Sequence, residues 1–110
     1  MDERTCERML DDLRQEYQYQ ERQFDRQLDQ LQQQRAMIRR SLTTIQQTTY
    51  QLVGRYSDDR RYLMGAMDAL DRGIDEADNF FRRQMQRIED AREDNTVEYQ
   101  RQRRRVVDAQ

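Results

Sequence analysis

Apolar residues recur along the chain at alternating steps of four and three positions, in two series separated by one interruption. Each series has a single additional step of four, which is typical of a heptad seam that unwinds locally. No stretch alternates with period two, so the pattern favours helices over strands. The first series is Cys6, Leu10, Leu13, Tyr17, Gln20, Phe24, Leu28, Leu31, Arg35, Ile38, Leu42, Ile45, Thr49 and Leu52. The second is Leu63, Met67, Leu70, Ile74, Ala77, Phe81, Met85, Ile88, Arg92, Asn95, Tyr99, Gln102 and Val106.

The interruption has the residues of a helix end followed by a helix start. Gly54 suits a helix C-terminus, and Ser57 suits an N-cap with carboxylates in the next turn. A short turn makes two long helices antiparallel neighbours. The sequence therefore predicts an all-α fold, an antiparallel coiled-coil hairpin with its turn near residues 54–57. Residues 1–110 form a single domain in this prediction, with helix one at about 3–53 and helix two at about 58–107.

Folding the chain at this turn brings apolar residues of the two series together. The polar residue Gln20 then lies opposite Asn95, a pair that can fix the register. At the open end, Asp11 and Asp12 fall beside the basic run 103–105. The predicted pairs are Leu52 with Leu63, Ile45 with Leu70, Ile38 with Ala77, Leu28 with Ile88, Tyr17 with Tyr99, and Leu10 with Val106.

The composition argues against an enzyme. The chain has no His and a single Cys, so no conventional zinc, haem or iron–sulfur ligand set, catalytic triad or Cys–His pair can be assembled. It also lacks a Gly-rich phosphate loop, and we expect no cofactor and no metal site. Cys6 occupies a seam position, where it is expected to act as a small reduced hydrophobe.

The charges do not favour binding to nucleic acid or to a membrane. Twenty basic residues, all of them Arg, oppose 22 acidic residues, and the net charge is −2. The basic run 101–105 is interpreted as a solvated helix end that complements the helix dipole. No apolar run approaches the roughly 20 residues that cross a bilayer, and the first residues lack the apolar stretch of a secretory signal.

Apolar residues exceed what one seam needs in the half of the chain around the turn. Residues 36–88 hold 22 of the 38 apolar residues. Small residues recur there every four positions, at Gly65, Ala69 and Gly73. These either let helix one pack tightly or accept a helix of a partner, and the second interpretation gains weight from nearby Met and Phe side chains. The predicted partner-binding residues are Leu52, Val53, Met64, Gly65, Ala69, Gly73, Phe80 and Phe81.

The chain resembles the small α-helical partner proteins of LXG toxins, which accompany the bacterial type VII (ESX-type) secretion system. The likeness covers most of the chain and rests on Phe80-Phe81, the acidic stretch 89–94, Tyr99 and the Arg run 101–105. Leu52-Val53-Gly54 lies where related ESX proteins place Trp-X-Gly, with Leu instead of Trp. The Tyr-X-X-X-acid export signal of such proteins is absent after helix two, because Arg103 follows Tyr99 by four residues.

The resemblance implies a targeting chaperone in the bacterial cytoplasm. Its expected partners are the helical N-terminal domain of a toxin and a second small helical protein, and whether it is exported with its cargo stays open. One alternative is a coiled-coil stalk or escort protein of a type III or flagellar export ATPase, with its function at the open end. Another is a structural coiled coil that self-associates into a four-helix bundle.

Overall fold

The computed structural model describes residues 2–56 and 60–110, which form two helices. Helix α1 spans Glu3–Tyr56 and helix α2 spans Arg60–Asp108. The predicted all-α hairpin is confirmed. Contacts within the chain group into two units, which we call the terminal unit (Met1–Asp29 with Met85–Gln110) and the turn unit (Gln30–Gln84).

Helix α1 begins at a capped N-terminus. The Oδ1 atom of Asp2 accepts a hydrogen bond from the backbone N–H of Arg4 at 3.3 Å. The carbonyl of Asp2 accepts the backbone N–H of Cys6 at 2.9 Å. The carboxylate of Asp2 thus satisfies one backbone donor that has no partner inside the helix, and its carbonyl accepts the first regular helix bond. Charges at the helix ends complement the dipole, with Glu3 in the first turn of α1 and Arg105 in the last turn of α2.

Helix α1 continues three residues beyond its predicted end. It runs through Gly54 to Tyr56, and no described glycine has a positive φ. The prediction that Gly54 ends the helix is therefore wrong. The preceding Val53 is half-buried, and a glycine inside a helix costs only about 1 kcal/mol, which does not by itself end the helix. The predicted N-cap at Ser57 lies outside the described residues.

The terminal unit packs α1 against α2 in the predicted antiparallel register. The rings of Tyr17 and Tyr99 stack with centroids 4.4 Å apart, as the pairing of the two series predicts. Cys6 and Val106 are 1% and 7% exposed. The thiol of Cys6 donates to the backbone carbonyl oxygen of Val106, at 3.7 Å. Cys6 thus occupies the seam position predicted for it.

The turn unit is also antiparallel, and polar side chains link its two helices. The Nε of Arg35 donates to Oδ1 of Asp78 at 3.1 Å, and the Nε2 of Gln46 donates to Oδ1 of Asp71 at 2.7 Å. Phe81 is 4% exposed and is the only buried side chain among the described residues of this unit. These contacts place the helices in the predicted register.

Three predicted seam residues of α1 lie outside the seam. Ile38, Ile45 and Leu52 are 41%, 50% and 50% exposed. Gln46 and Val53, each one position further along α1 than Ile45 and Leu52, are half-buried and take the positions predicted for them. A change of one position corresponds to a rotation of about 100° around the helix. The predicted seam is wrong at these three positions.

Candidate functional site

The half-buried residues of the turn unit define its seam and, with it, two outer faces. Every seam residue named here is buried or half-buried. A residue that immediately precedes a seam residue lies about 100° around the helix from it. Because the helices are antiparallel, all such preceding residues lie on one side of the hairpin, and all following residues lie on the other. The seam residues are Leu42, Gln46, Thr49 and Val53 of α1 with Leu63, Met67, Leu70, Ile74, Ala77 and Phe81 of α2.

The preceding positions form a surface that we call the apolar face. It carries one carboxylate, that of Glu76, and no cation. Its remaining members are apolar, small or hydroxyl-bearing. These positions are Ser41, Ile45, Thr48 and Leu52 of α1 with Tyr62, Ala66, Ala69, Gly73, Glu76 and Phe80 of α2. The exposed Ile38, one heptad before Ile45, extends the apolar face and is counted with it.

Large apolar side chains are exposed mainly in the turn unit. Eight of the twelve exposed large hydrophobic residues of the described chain lie there, and five of those eight belong to the apolar face. The five are Ile38, Ile45, Leu52, Tyr62 and Phe80. Scattered exposed apolar residues need no explanation, but a contiguous group bordered by polar residues is typical of an interaction surface.

The opposite face of the turn unit has a different chemistry, and we call it the acidic face. Four aspartates follow seam residues of α2, at positions 68, 71, 75 and 78. Asp71 and Asp78 are held by Gln46 and Arg35 across the hairpin. Tyr50 and Met64 are its exposed large apolar side chains. The turn unit is therefore amphipathic across its width, with charge concentrated on one side.

The predicted partner-binding residues fall into separate places. Leu52, Ala69, Gly73 and Phe80 lie together on the apolar face, and exposed Gly65 borders it. The other three do not join them, since Val53 lies in the seam, Phe81 is buried and Met64 lies on the acidic face. Sequence reasoning placed Ile38 and Ile45 in the seam and left Tyr62 out of the contact set. Spacing alone gave no signal for the two isoleucines, because Leu63, Leu70 and Ala77 have the same spacing and stay half-buried.

The small residues of α2 do not serve to bring α1 close. A Cβ atom added at Gly65 or at Gly73 would meet no heavy atom within 4 Å. The interpretation that these glycines let helix one pack tightly is therefore wrong. They instead leave a shallow strip on the surface, where the backbone of another helix has room to approach.

The terminal unit holds a polar layer instead of an apolar face. The guanidinium of Arg92 donates to Oε2 of Glu21 at 2.6 Å and to Oδ1 of Asp25 at 2.9 Å. The hydrogen bond that Arg92 donates to Glu21 is the main reason that the pKa of Arg92 is raised, and charge attraction from Glu21 and Asp25 adds to it. The hydroxyls of Tyr17 and Thr96 lie 2.9 Å apart. This layer links the helices through side chains of fixed geometry.

Gln20 and Asn95 line the same cleft of the terminal unit, which agrees with their predicted pairing across the seam. The cleft has a volume of about 120 Å³. The Nδ2 atom of Asn95 is buried without a hydrogen-bond partner among the described protein atoms. Such a group costs about 1–3 kcal/mol of desolvation.

We expect Asn95→Leu to stabilise the hairpin by about 1 kcal/mol, because it removes a desolvated donor and adds apolar contact at the seam. Urea unfolding monitored by circular dichroism measures the change. Gln102→Leu is the matched control, because Gln102 is exposed in the same unit, and it should leave the midpoint nearly unchanged. A lower midpoint for Asn95→Leu would mean that the amide makes a favourable interaction at this position.

A second cleft lies at the open end of the terminal unit. Met9, Leu13 and Val106 form its apolar lining, and its volume is about 440 Å³. Asp12 and Arg105 lie at the same cleft, as the sequence predicts for the open end. Asp11 instead pairs with Arg14 on its own helix, at 2.7 Å. This cleft is confined to one end of the hairpin and has charges of both signs at it, from Asp12 and Arg105.

Comparison with protein-family models, with curated proteins and with solved structures found no match to this chain. In residues 2–56 and 60–110, no group of three or more His, Cys, Asp or Glu side chains could hold a metal ion. Neither helix, over the residues described, combines the length and hydropathy that a membrane span requires. The apolar face of the turn unit is the feature on which a function can be argued.

Proposed function

We propose that this hairpin is a non-enzymatic adaptor that binds the helical N-terminal domain of an LXG toxin and helps to target it to the type VII secretion machinery. The observation that carries the proposal is the exposed apolar face of the turn unit. In this role the protein acts in the bacterial cytoplasm as a targeting chaperone, together with a second small helical protein.

A helix is the occupant that best fits this face. The face runs along two helices, so side chains of a third helix can pack into the groove between them as ridges into grooves. Gly73 and the neighbouring small residues allow a close approach of backbones. Phe80 and Leu52 are large and exposed, as are the anchors on which binding energy concentrates.

Charges beside the apolar face favour a partner helix that has carboxylates along one of its borders. Arg72 and Arg83 are exposed on α2, one step further around the helix than the apolar face. Carboxylates along one border of the bound helix would meet these guanidiniums. Such rim pairs select the partner and accelerate association more than they add affinity.

The position of the apolar surface separates this proposal from the export-ATPase alternative. A stalk or escort protein of that class would have its function at the open end, in the terminal unit. Most of the exposed large apolar side chains lie instead in the turn unit. This distribution supports binding near the turn.

The test compares two single substitutions on opposite faces. Phe80→Asp places a charge in the apolar face, and Tyr50→Asp makes a similar change at an exposed aromatic residue of the acidic face. We expect Phe80→Asp to reduce recovery of the toxin by at least about tenfold, which corresponds to a loss of about 1.4 kcal/mol. Tyr50→Asp should recover it as the unchanged protein does. The measurement is affinity purification of the tagged full chain from the cytoplasm of its host, with mass spectrometry of the bound proteins.

Circular dichroism of both variants serves as the folding control, because both positions are exposed and should leave helix content intact. Equal recovery of a toxin by both variants would contradict binding through the apolar face. Recovery of an export ATPase in place of a toxin would contradict the proposed function itself.

A further inference from the structure

We infer that the apolar face of the turn unit binds a second copy of this chain in a two-fold symmetric dimer. In this arrangement α2 packs antiparallel to α2 of the second copy, and α1 packs antiparallel to α1. The inference goes beyond the proposed function and does not depend on it. A symmetric contact requires that the face be complementary to itself, and three features of the face meet this requirement.

The first feature is a common centre on both helices. The links Arg35–Asp78 and Gln46–Asp71 place the stretch of α1 near Ser41 level with the stretch of α2 near Ile74. The residues of the face at this level are Ser41 and Gly73, which are small. A two-fold axis through this level lets both pairs of helices cross where their surfaces are shallowest, with the backbones in close approach.

The second feature is charge. Arg72 and Glu76 are exposed, and they lie two residues before and two residues after Ile74. The two-fold axis at this level places Arg72 opposite Glu76 of the second copy, and the symmetry repeats the pair. The only carboxylate of the apolar face thereby meets a guanidinium instead of apolar surface.

The third feature is the distribution of large and small side chains about the same centre. Phe80 lies on one side of it, and Ala66 and Ala69 lie on the other at a matching distance along α2. The symmetry places each Phe80 ring over the alanines of the other copy. On α1, Ile38 lies three residues before Ser41 and Ile45 lies four residues after it, so each comes near the other isoleucine of the second copy. Large residues thus face small ones, and apolar residues face apolar ones.

The acidic face is less complementary to itself. Arg82 also lies there and Asp78 is paired with Arg35, but about the same centre Asp71 and Asp75 would confront aspartates of another copy. Like charges in direct opposition disfavour association. Two copies therefore associate through the apolar face, which a different helical partner could reach only by displacing the second copy.

The test is sedimentation equilibrium of the purified full chain and of two charge variants, Arg72→Glu and Glu76→Arg. We expect the unchanged chain to form dimers at micromolar concentrations and each variant to associate at least about tenfold more weakly, because each places like charges opposite one another twice. An equimolar mixture of the two variants should recover dimerisation, since one variant has two carboxylates at these positions and the other has two guanidiniums. A salt bridge between positions 72 and 76 of one helix cannot explain this recovery, because neither variant has opposite charges at these two positions.

A second substitution tests the centre of the contact. Gly73→Leu should keep the helix content, since a Cβ atom at Gly73 meets open space within one chain, and should abolish the dimer. Asp75→Arg on the acidic face is the control and should leave the dimer intact. A chain that remains monomeric to about 100 μM, a mixture that associates no better than its components, or a dimer that survives Gly73→Leu would each overturn the inference. These outcomes concern the association of two copies, and toxin binding is tested separately by the recovery experiment.

Discussion

Phe81→Ala is expected to lower the free energy of unfolding by about 3–5 kcal/mol, and Phe80→Ala by about 1 kcal/mol or less. The two residues are adjacent and of one type, and their rings meet edge to face at 5.4 Å. Either substitution removes that aromatic pair, so the pair cancels in the comparison. The remaining difference is burial, since Phe81 is 4% exposed and Phe80 is 48% exposed.

Burial has a large effect here because so few side chains are buried. Among the described residues, Cys6, Phe81 and Val106 are the only buried side chains. Phe81 is the largest of them, and the cavity left by its loss lies between two helices that have little other core near it. Removal of a buried aromatic side chain costs both its transfer free energy and the cavity.

Urea unfolding followed by circular dichroism measures both free energies, at a protein concentration low enough that copies do not associate. Equal destabilisation by the two substitutions would contradict the assignment of Phe81 to the interior. It would also contradict the assignment of Phe80 to the apolar face, since both assignments rest on the same rotation of α2.

Arg92→Leu is expected to lower the free energy of unfolding by about 2 kcal/mol, whereas Arg14→Leu should change it by less than about 0.5 kcal/mol. Arg92 joins α2 to Glu21 and Asp25 of α1, and its side chain is 33% exposed. The pair of Arg14 with Asp11 is just as short, at 2.7 Å, but it lies within one helix and both side chains are more than half exposed. Distance alone would therefore predict equal effects.

The difference arises from what each substitution leaves behind. Without Arg92, the half-buried carboxylate of Glu21 loses its charged partner across the seam, whereas Asp11 without Arg14 remains in water. Thermal and urea unfolding of both variants measure the effect. Arg92→Lys should lie between the two, because it keeps the charge and loses the planar fork. Equal stabilities of Arg92→Leu and Arg14→Leu would contradict the structural role of the polar layer.

The sequence predicted the antiparallel register closely because many positions report on it together. The stacking of Tyr17 on Tyr99 and the shared cleft of Gln20 and Asn95 both follow from the pairing of the two apolar series. A shift of register by a few residues would place charged residues against apolar ones along the whole seam. The pairing of the two apolar series therefore determines the fold class without any knowledge of a binding partner.

The sequence did not determine the composition of the exposed surface near the turn. Whether Ile38, Ile45 and Leu52 lie in the seam depends on the rotation of α1 about its own axis near the turn. The spacing of apolar residues leaves that rotation open, since Leu63, Leu70 and Ala77 have the same spacing and stay half-buried. Likewise, Gly65 and Gly73 are small in any conformation, but only the positions of atoms around them show that they face open space.

The sequence by itself thus determined that this protein is a helical hairpin with excess apolar side chains around its turn. Periodicity and composition suffice for that conclusion, because both are properties of the residue order alone. The tertiary structure decided that Ile38, Ile45 and Leu52 lie on the surface and not in the seam. It also decided that most of the exposed large apolar side chains of the turn unit lie on one face, with Glu76 as its single charged member, opposite four aspartates. The physical reason is that a face of a hairpin depends on the rotation of each helix about its own axis, and packing between the helices sets that rotation.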